Sequence, residues 1–255
     1  EVHALVAPHI DIRVARHTYV SAYRHLKGRR YDLVVILGIN HHLQDGLFCL
    51  SAKNYLTPFG ELRTDRDFVR SLEGRVPQGT LSQSDFGHKI EHSVEFQALF
   101  LHYVLGDTPI VPVLCGGMHE FLLARKTPFE DGRFTGFVEA VREQAGKRGN
   151  VLFVAGVDFS HVGLKFGDRL PAESILARAQ ANDRRILDAL LAADGRAIFG
   201  NAAETADAYK VCGLPALVLM AELMTGRKGA LLDHQTYREA ATSSAVTYAA
   251  AMFAD

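Results

Sequence analysis

Short apolar runs alternate along the chain with longer segments in which apolar residues recur at helical spacing. The run 31–37 is apolar after its polar start, which is typical of a strand buried on both faces of a parallel sheet. The segment 92–104 instead places its apolar residues on one helical face. By these two criteria we predict strands over 2–6, 31–37, 110–114 and 151–157, and helices over 14–26, 65–72, 92–104, 134–145, 174–191 and 214–224.

Further segments have the features of antiparallel strands. Residues 48–55 and 61–62 flank a Pro/Gly turn at 57–60, which predicts a hairpin. Residues 230–237 and 245–253 are predicted to close the sheet as two more strands. These elements make the sheet mixed rather than wholly parallel.

Strands and helices alternate without a linker rich in Pro, Gly or Ser and without an internal repeat. This pattern predicts the fold class α/β, as a single-domain three-layer α/β/α sandwich with a mixed central sheet. We expect one domain to cover residues 1–255.

Composition and charge narrow the possible partners. The 28 Lys and Arg residues balance 29 Asp and Glu residues, so no net charge favours nucleic acid or an anionic membrane. No apolar run approaches the roughly 18 residues of a membrane span, and no signal-peptide pattern is apparent. The three cysteines, Cys49, Cys115 and Cys212, include no closely spaced pair, so we expect a reducing, cytoplasmic location rather than a disulfide framework.

Histidines follow several of the predicted strands. His9 follows the first strand, His41 and His42 follow the second, and His161 follows the strand over 151–157. Open α/β sheets bind their ligands just beyond the carboxyl ends of the strands, so these imidazoles can converge. The order of strands and histidines therefore predicts a metal site, although a single histidine at a strand end is more often a surface or capping residue.

His9, His41 and Cys212 are the predicted metal ligands. Two imidazoles and one thiolate leave coordination positions open, which suits either iron-based oxygen chemistry or a catalytic zinc. His41 and His42 are adjacent and are expected to point to opposite sides, so one binds the metal and the other orients it or contacts substrate. Cys212 precedes a predicted helix, whose N-terminus lowers a thiol pKa. The alternative for Cys212 is a buried structural cysteine, the interpretation we adopt for Cys49 and Cys115.

Asp158 and His161 are the predicted catalytic pair. His161 has the titration range of a general base, and Asp158 can orient an imidazole. The alternative is that Asp158 caps a helix and His161 is incidental. In the segment 91–95, Ser93 is expected to cap the helix, with His92 and Glu95 as candidates for the second shell or the substrate pocket.

Two common classes of enzyme are disfavoured by the motifs. The chain contains neither a Gly-rich phosphate loop nor a G-x-S-x-G elbow, and Gly116 and Gly117 fit neither fingerprint. We therefore do not expect nucleotide-dependent chemistry or a serine hydrolase.

Taken in order, the motifs resemble the Memo family, of the AmmeMemoRadiSam system protein B type, which is similar in fold to class III extradiol ring-cleaving dioxygenases. The matching segments are Pro8-His9, Leu37 to His42, Glu91 to Glu95, Pro112 to Leu114, Asp158 to His161, Cys212-Gly213 and Ser243 to Ala249. The resemblance implies an α/β/α sandwich and a metal centre, iron (Fe2+) before zinc or copper, held by His9, His41 and Cys212. It also implies that Asp158 and His161 line the same pocket, and in microbes a radical-enzyme partner system.

The chain also departs from the pattern of that family. His9 is followed by Ile10-Asp11-Ile12 where Ala-Gly-Tyr is usual, so Asp11 is a candidate that adds negative charge to the pocket wall. The second motif has Ile39-Asn40 where a Pro-Ser pair is more usual. In the dioxygenase relatives a carboxylate takes the third ligand position, so a thiolate would make the metal easier to oxidise.

Three functions therefore remain open from the sequence. The leading hypothesis is an Fe(II)-dependent oxidoreductase of dioxygenase type that acts on a small phenolic or other bidentate substrate. The second is a metal- or peptide-binding module without enzymatic activity on the same scaffold, because a fold does not by itself determine a function. The third is a zinc hydrolase, because two histidines, a cysteine and water also form a catalytic zinc set.

Overall fold

A computed structural model describes residues 1–42 and 45–255 of the chain. One mixed sheet forms the middle layer, with strands in the order β3-β6-β2-β7-β1-β10-β8 and β9 paired with β10. Its strands are β1 (Val2–Ala7), β2 (Leu33–Ile39), β3 (Phe48–Leu50), β6 (Ile110–Cys115), β7 (Val151–Gly156), β8 (His161–Gly163), β9 (Gly229–Glu239) and β10 (Ser244–Ala254). A separate two-stranded hairpin consists of β4 (Tyr55–Thr57) and β5 (Gly60–Leu62).

Helices cover both faces of the sheet. They are α1 (Ile12–Tyr23), α2 (Arg66–Glu73), α3 (Gly87–Ile90), α4 (Ser93–Leu105), α5 (Met118–Ala124), α6 (Gly132–Gly146), α7 (Ala172–Leu191), α8 (Gly195–Thr205) and α9 (Leu214–Leu223). Alternate residues of the central strands enter two separate cores. In β2, for example, Val35 belongs to the core that contains residues of α6 and α9, whereas Val34 and Ile36 belong to the core that contains residues of α1 and α4. The predicted α/β class with a mixed central sheet between helical layers is therefore confirmed.

The directions of the strands determine where the candidate site lies. Strands β1, β7, β2 and β6 are mutually parallel, whereas β10 runs antiparallel to β1, β8 and β9. The carboxyl ends of four neighbouring strands therefore meet at one edge of the sheet. All seven residues of β2 are buried, because helices cover both faces of the sheet.

The prediction of one strand over 48–55 was wrong. Strand β3 ends at Leu50 and pairs antiparallel with β6 in the main sheet, whereas the hairpin lies apart from it. Ser51 and Lys53 explain the break, because their side chains both bond to the carboxylate of Asp85 in a neighbouring loop. The chain therefore leaves the sheet after Leu50.

Four elements were missing from the prediction, namely α3, α5, α8 and β8. The first two helices are short, with four and seven residues, so their hydrophobic periodicity is weak. Within the described ranges, no helix is long and apolar enough to cross a membrane.

Candidate metal centre

Three neighbouring strands deliver candidate residues to one point. His9, His41 and Asp158 each follow the last residue of β1, β2 and β7 by two positions, and β7 lies between the other two strands. Cys212 arrives from the turn before α9. One nitrogen or sulfur atom from each of His9, His41 and Cys212 lies within 4.8 Å of the other two.

His9 is held as a neutral imidazole. Its Nδ1 lies 3.0 Å from the carbonyl oxygen of Gly156 at the end of β7. Because a carbonyl only accepts, Nδ1 carries the proton and Nε2 keeps its lone pair. Burial lowers the pKa of His9 to about 3, so the ring stays uncharged at neutral pH. Its free Nε2 is therefore ready to bind a cation.

His41 is bonded through its Nδ1 to a carboxylate. Its Nδ1 donates to Glu91 Oε2 at 3.0 Å, and its backbone N–H donates to Glu91 Oε1 at 2.6 Å. Burial opposes ionisation of Glu91, but the hydrogen bonds from His41 hold the pKa of this carboxyl below its usual value. The imidazole of His41 lies edge-on to that of His9, with ring centroids 5.5 Å apart.

Cys212 completes the group of three. Its Sγ lies 3.4 Å from His9 Nε2 and 3.6 Å from the carbonyl oxygen of Asp158. The expectation of a lowered thiol pKa was wrong for the protein without metal, because burial and the nearby Asp158 raise the pKa of Cys212 well above its ordinary value. Metal binding would therefore have to displace the thiol proton.

The three side chains fit one transition-metal ion. Imidazole and thiolate ligands at about 2.1 and 2.3 Å from a tetrahedral ion are about 3.6 Å apart. The separation of 3.4 Å between Cys212 Sγ and His9 Nε2 is close to that value. His9 presents an unprotonated Nε2, and soft thiolate with imidazole suits iron, zinc or copper rather than calcium or magnesium.

Asp158 lies beside these residues and does not cap a helix. Its Oδ1 accepts the backbone N–H groups of His9 and Ile10 at 3.0 and 3.2 Å, and its Oδ2 lies 3.5 Å from His9 Nε2. The residues that follow Asp158 lead into strand β8 rather than into a helix. Burial raises the pKa of Asp158 to about 6, although the neighbouring histidines oppose that shift.

His161 faces the same cavity from the start of β8. Its Nδ1 donates to the carbonyl oxygen of Phe159 at 3.0 Å, so Nε2 is the free basic atom. Burial lowers the pKa of His161, although the charge of Asp158 opposes this. Phe166 packs edge-on against the ring, with centroids 5.0 Å apart.

The cavity has a volume of about 430 Å³ and combines polar and apolar walls. The polar residues at its wall include four histidines and a salt bridge between Lys165 and Glu239, with N–O distance 3.1 Å. The lining residues are His9, Ile10, Asp11, Val14, His41, His92, Asp158, His161, Lys165, Phe166, Tyr237, Glu239, Ser244, Ala245 and Val246. This volume accommodates a small aromatic molecule.

The other predicted residues divide between this cavity and separate ones. Asp11 and His92 line it, and the His92 ring centroid lies 5.4 Å from that of His9. His42 lines a different cavity beside Asn40, and Glu95 lines one near the β4–β5 hairpin. Their proposed contributions to the metal centre therefore lack geometric support.

Ser93 does not cap α4 as predicted. Its hydroxyl bonds to the backbone N–H and carbonyl of Ile39, at the end of β2, while His92 occupies the cap position without a side-chain cap bond. Glu91 was not predicted as a partner of His41, although it begins the segment 91–95 that contains the candidates His92 and Glu95. Glu91 is almost completely buried, and this burial indicates its role. The sequence shows only a charged residue before a helix, because burial depends on tertiary packing.

Comparison with known proteins agrees with this architecture. The family model described as "Memo-like protein" matches residues 1–252. The chain belongs to the Memo-like family. A protein of Aquifex aeolicus named as a MEMO1 family protein is 28% identical, over 98% of this chain and 63% of its own length. A MEMO1 family protein of Archaeoglobus fulgidus is 27% identical, over 98% of this chain and 86% of its own length.

Two further comparisons concern length and fold. A MEMO1 family protein of Methanococcoides burtonii is 32% identical, over 69% of this chain and 57% of its own length. The chain thus spans less than two thirds of the Aquifex and Methanococcoides relatives. The crystal structure of an uncharacterized Escherichia coli K12 protein matches all of both chains with a TM-score of 0.54 and 12% identity, which shows a shared fold.

Proposed function

We propose that this protein is an Fe(II)-dependent oxidoreductase of the dioxygenase type, which acts on a small phenolic or other bidentate substrate. The observation that carries the proposal is the convergence of His9, His41 and Cys212 beside an open cavity. These three residues would hold the metal and leave coordination positions free. Bound iron would supply adjacent binding positions for substrate and O2 and a path for electrons between them.

His161 is proposed as the acid/base residue of the reaction. Its lowered pKa leaves the ring neutral at pH 7, and its Nε2 is free because Nδ1 donates to Phe159. The ring can therefore take a proton from a substrate hydroxyl and later return it. The nearby negative charge of Asp158 stabilises the imidazolium that forms in between.

The proposed function is tested first by metal content. Wild type, Cys212→Ala and Cys115→Ala are purified without oxygen and analysed for metals. Cys115 is a matched control, because it is fully buried in β6 and lies in the hydrophobic core. About one iron per chain in wild type and Cys115→Ala, lost in Cys212→Ala, is the expected result.

The iron-loaded protein is then screened for O2 consumption with catechol-type ligands. His161→Gln is expected to retain its iron and to lose about 10²- to 10⁴-fold in rate, because it lacks the basic nitrogen. Stoichiometric iron with no O2 consumption for any such ligand would contradict the oxidoreductase. Tight, reversible metal binding without turnover would instead favour the binding module.

A zinc hydrolase is the second candidate, because the same donor set also suits zinc. Cys212 stands where a carboxylate is expected in a dioxygenase, and two imidazoles with one thiolate also suit zinc. Zinc retention together with esterase or amidase activity, both lost in Cys212→Ala, would support this function over the oxidoreductase.

A further inference from the structure

Glu91 is a buried carboxylate whose two oxygens both bond to His41. Only 5% of Glu91 is exposed, and its two oxygens accept from the backbone N–H and the Nδ1–H of His41. The imidazole itself is more open, with 37% of its side chain exposed. An imidazole with this exposure can turn or exchange tautomers unless another group fixes it.

The contact between Glu91 and His41 depends on the segment that joins α3 to α4. Ser93 holds the end of β2 through both backbone groups of Ile39, and Glu91 holds His41 two positions further on. The backbone of Glu91 is itself fixed, because its N–H donates to the carbonyl of Gly87 at 3.0 Å. At Gly87 a Cβ would lie 2.9 Å from the Asn40 amide nitrogen, so glycine permits this close approach.

A carboxylate is the side chain that this geometry requires. His41 presents two donors, a backbone N–H and Nδ1–H, and glutamate offers an acceptor oxygen to each. A glutamine of the same shape has one acceptor oxygen and one NH2 group. If its oxygen accepts from the backbone, its NH2 group faces Nδ1 and favours the tautomer with the proton on Nε2. That tautomer has no lone pair on Nε2, the ring nitrogen that is left for a metal when residue 91 bonds to Nδ1.

We infer that Glu91 is a positioning residue, which holds His41 as the Nδ1–H tautomer with its Nε2 lone pair available to the metal centre. The carboxylate acts through His41 and has no contact with substrate. A carboxylate bonded to a ligating histidine also raises the basicity of that ligand. This inference rests on the proposed metal centre, but the tautomer is measurable in the absence of metal.

The experiment compares wild type with Glu91→Gln and Glu95→Gln. Glu95 is the matched control, because it lies four residues further on, is exposed and lines another cavity. Each protein is labelled with ¹⁵N-histidine and stripped of metal, and long-range ¹H–¹⁵N spectra are recorded at pH 8. The His41 signals are identified by their loss in His41→Asn.

We expect Nδ1–H at His41 in wild type and Glu95→Gln, and Nε2–H in Glu91→Gln. Titration with Co2+, followed by the thiolate absorption band, is expected to give about 10- to 100-fold weaker binding for Glu91→Gln alone. Nδ1–H retained in Glu91→Gln, or equal Co2+ affinity in all three proteins, would overturn the inference.

A second variant covers the case in which Glu91→Gln fails to fold. Glu91→Asp keeps both acceptor oxygens, so we expect it to retain the Nδ1–H tautomer, and Nε2–H in this variant would overturn the inference. The proposed function fails separately. Wild type with the expected tautomer but without Co2+ binding would support the role of Glu91 in holding His41 and would contradict the metal centre itself.

Discussion

At the scale of single residues, burial shifts two neighbouring groups in opposite senses. The pKa of His9 falls to about 3 and that of Asp158 rises to about 6, because both side chains are removed from water. Both groups are therefore least costly to bury when uncharged. The His9 Nε2 and Asp158 Oδ2 atoms lie 3.5 Å apart.

These shifts affect stability with opposite sign. In the unfolded chain His9 takes up a proton below about pH 6.5, whereas in the folded chain it stays neutral down to about pH 3. This difference lowers the unfolding free energy as the pH falls from 6.5 towards 3. The folded chain retains the proton of Asp158 up to about pH 6, whereas the unfolded chain loses it near 3.8. Asp158 therefore lowers stability as the pH rises from 3.8 to 6, and the two contributions nearly cancel in that window.

We predict that the Asp158→Asn substitution makes the contribution of His9 to the pH dependence of the unfolding free energy measurable. In metal-free protein, the unfolding free energy of this variant should fall more steeply than that of wild type between pH 6 and 4. The additional slope is about 1.4 kcal/mol per pH unit for one proton. Urea titrations at four pH values measure it, with Asp67→Asn as the control because Asp67 is exposed on α2. Parallel curves for wild type and Asp158→Asn would contradict the assigned shifts.

At the scale of elements, glycine allows helix α4 to pack against the end of β7. A Cβ on Gly156 would lie 2.5 Å from the carbonyl oxygen of Ser93 and 2.6 Å from the amide nitrogen of Gln97. Gly156 also supplies the carbonyl that orients His9. Close packing of strand and helix is thus directly coupled to the orientation of a predicted ligand.

We predict opposite effects for two Gly→Ala substitutions. Gly156→Ala should lower the unfolding free energy by about 1–3 kcal/mol, because backbone atoms have to move. Gly200→Ala should raise it by about 0.5–1 kcal/mol, because Gly200 is exposed in α8 and no atom of the described residues lies within 4 Å of its added Cβ. Denaturant unfolding of both variants measures the difference. Equal stabilities would show that the α4–β7 contact tolerates a methyl group.

At the scale of the whole molecule, the candidate centre joins distant parts of the chain. His9, His41 and Cys212 lie in three separate segments, and their ligand atoms approach within 4.8 Å only in the folded protein. A metal that binds them therefore binds the folded state in preference to the unfolded one, which raises stability by mass action.

We predict that metal loading raises the melting temperature reversibly. Free metal at 100 times the dissociation constant adds about 2.7 kcal/mol to the unfolding free energy. Calorimetry with and without a chelator should show the increase in wild type and Cys115→Ala but not in Cys212→Ala. The increase should diminish at lower pH, because the Cys212 thiol has to lose its proton on binding. An equal increase in Cys212→Ala would exclude this cysteine as a ligand.

Much of the architecture was predictable because it rests on local patterns. The apolar run over 31–37 corresponds to β2, and the helical spacing over 92–104 corresponds to α4. The motif order identified the Memo family, which the family match confirms. Local patterns did not predict that β3 ends at Leu50, because the residues that follow it bond to Asp85, which is distant in the sequence.

Hydrophobic periodicity and chain order are sufficient to predict the alternation of strands and helices and the residue types at the strand ends. The packing of the folded chain decided that Glu91 faces His41 and that Glu95, four residues later, faces another cavity. It also decided that burial outweighs the helix end in setting the pKa of Cys212. Side-chain direction and desolvation both depend on which segments pack together, and that packing joins residues far apart in the chain.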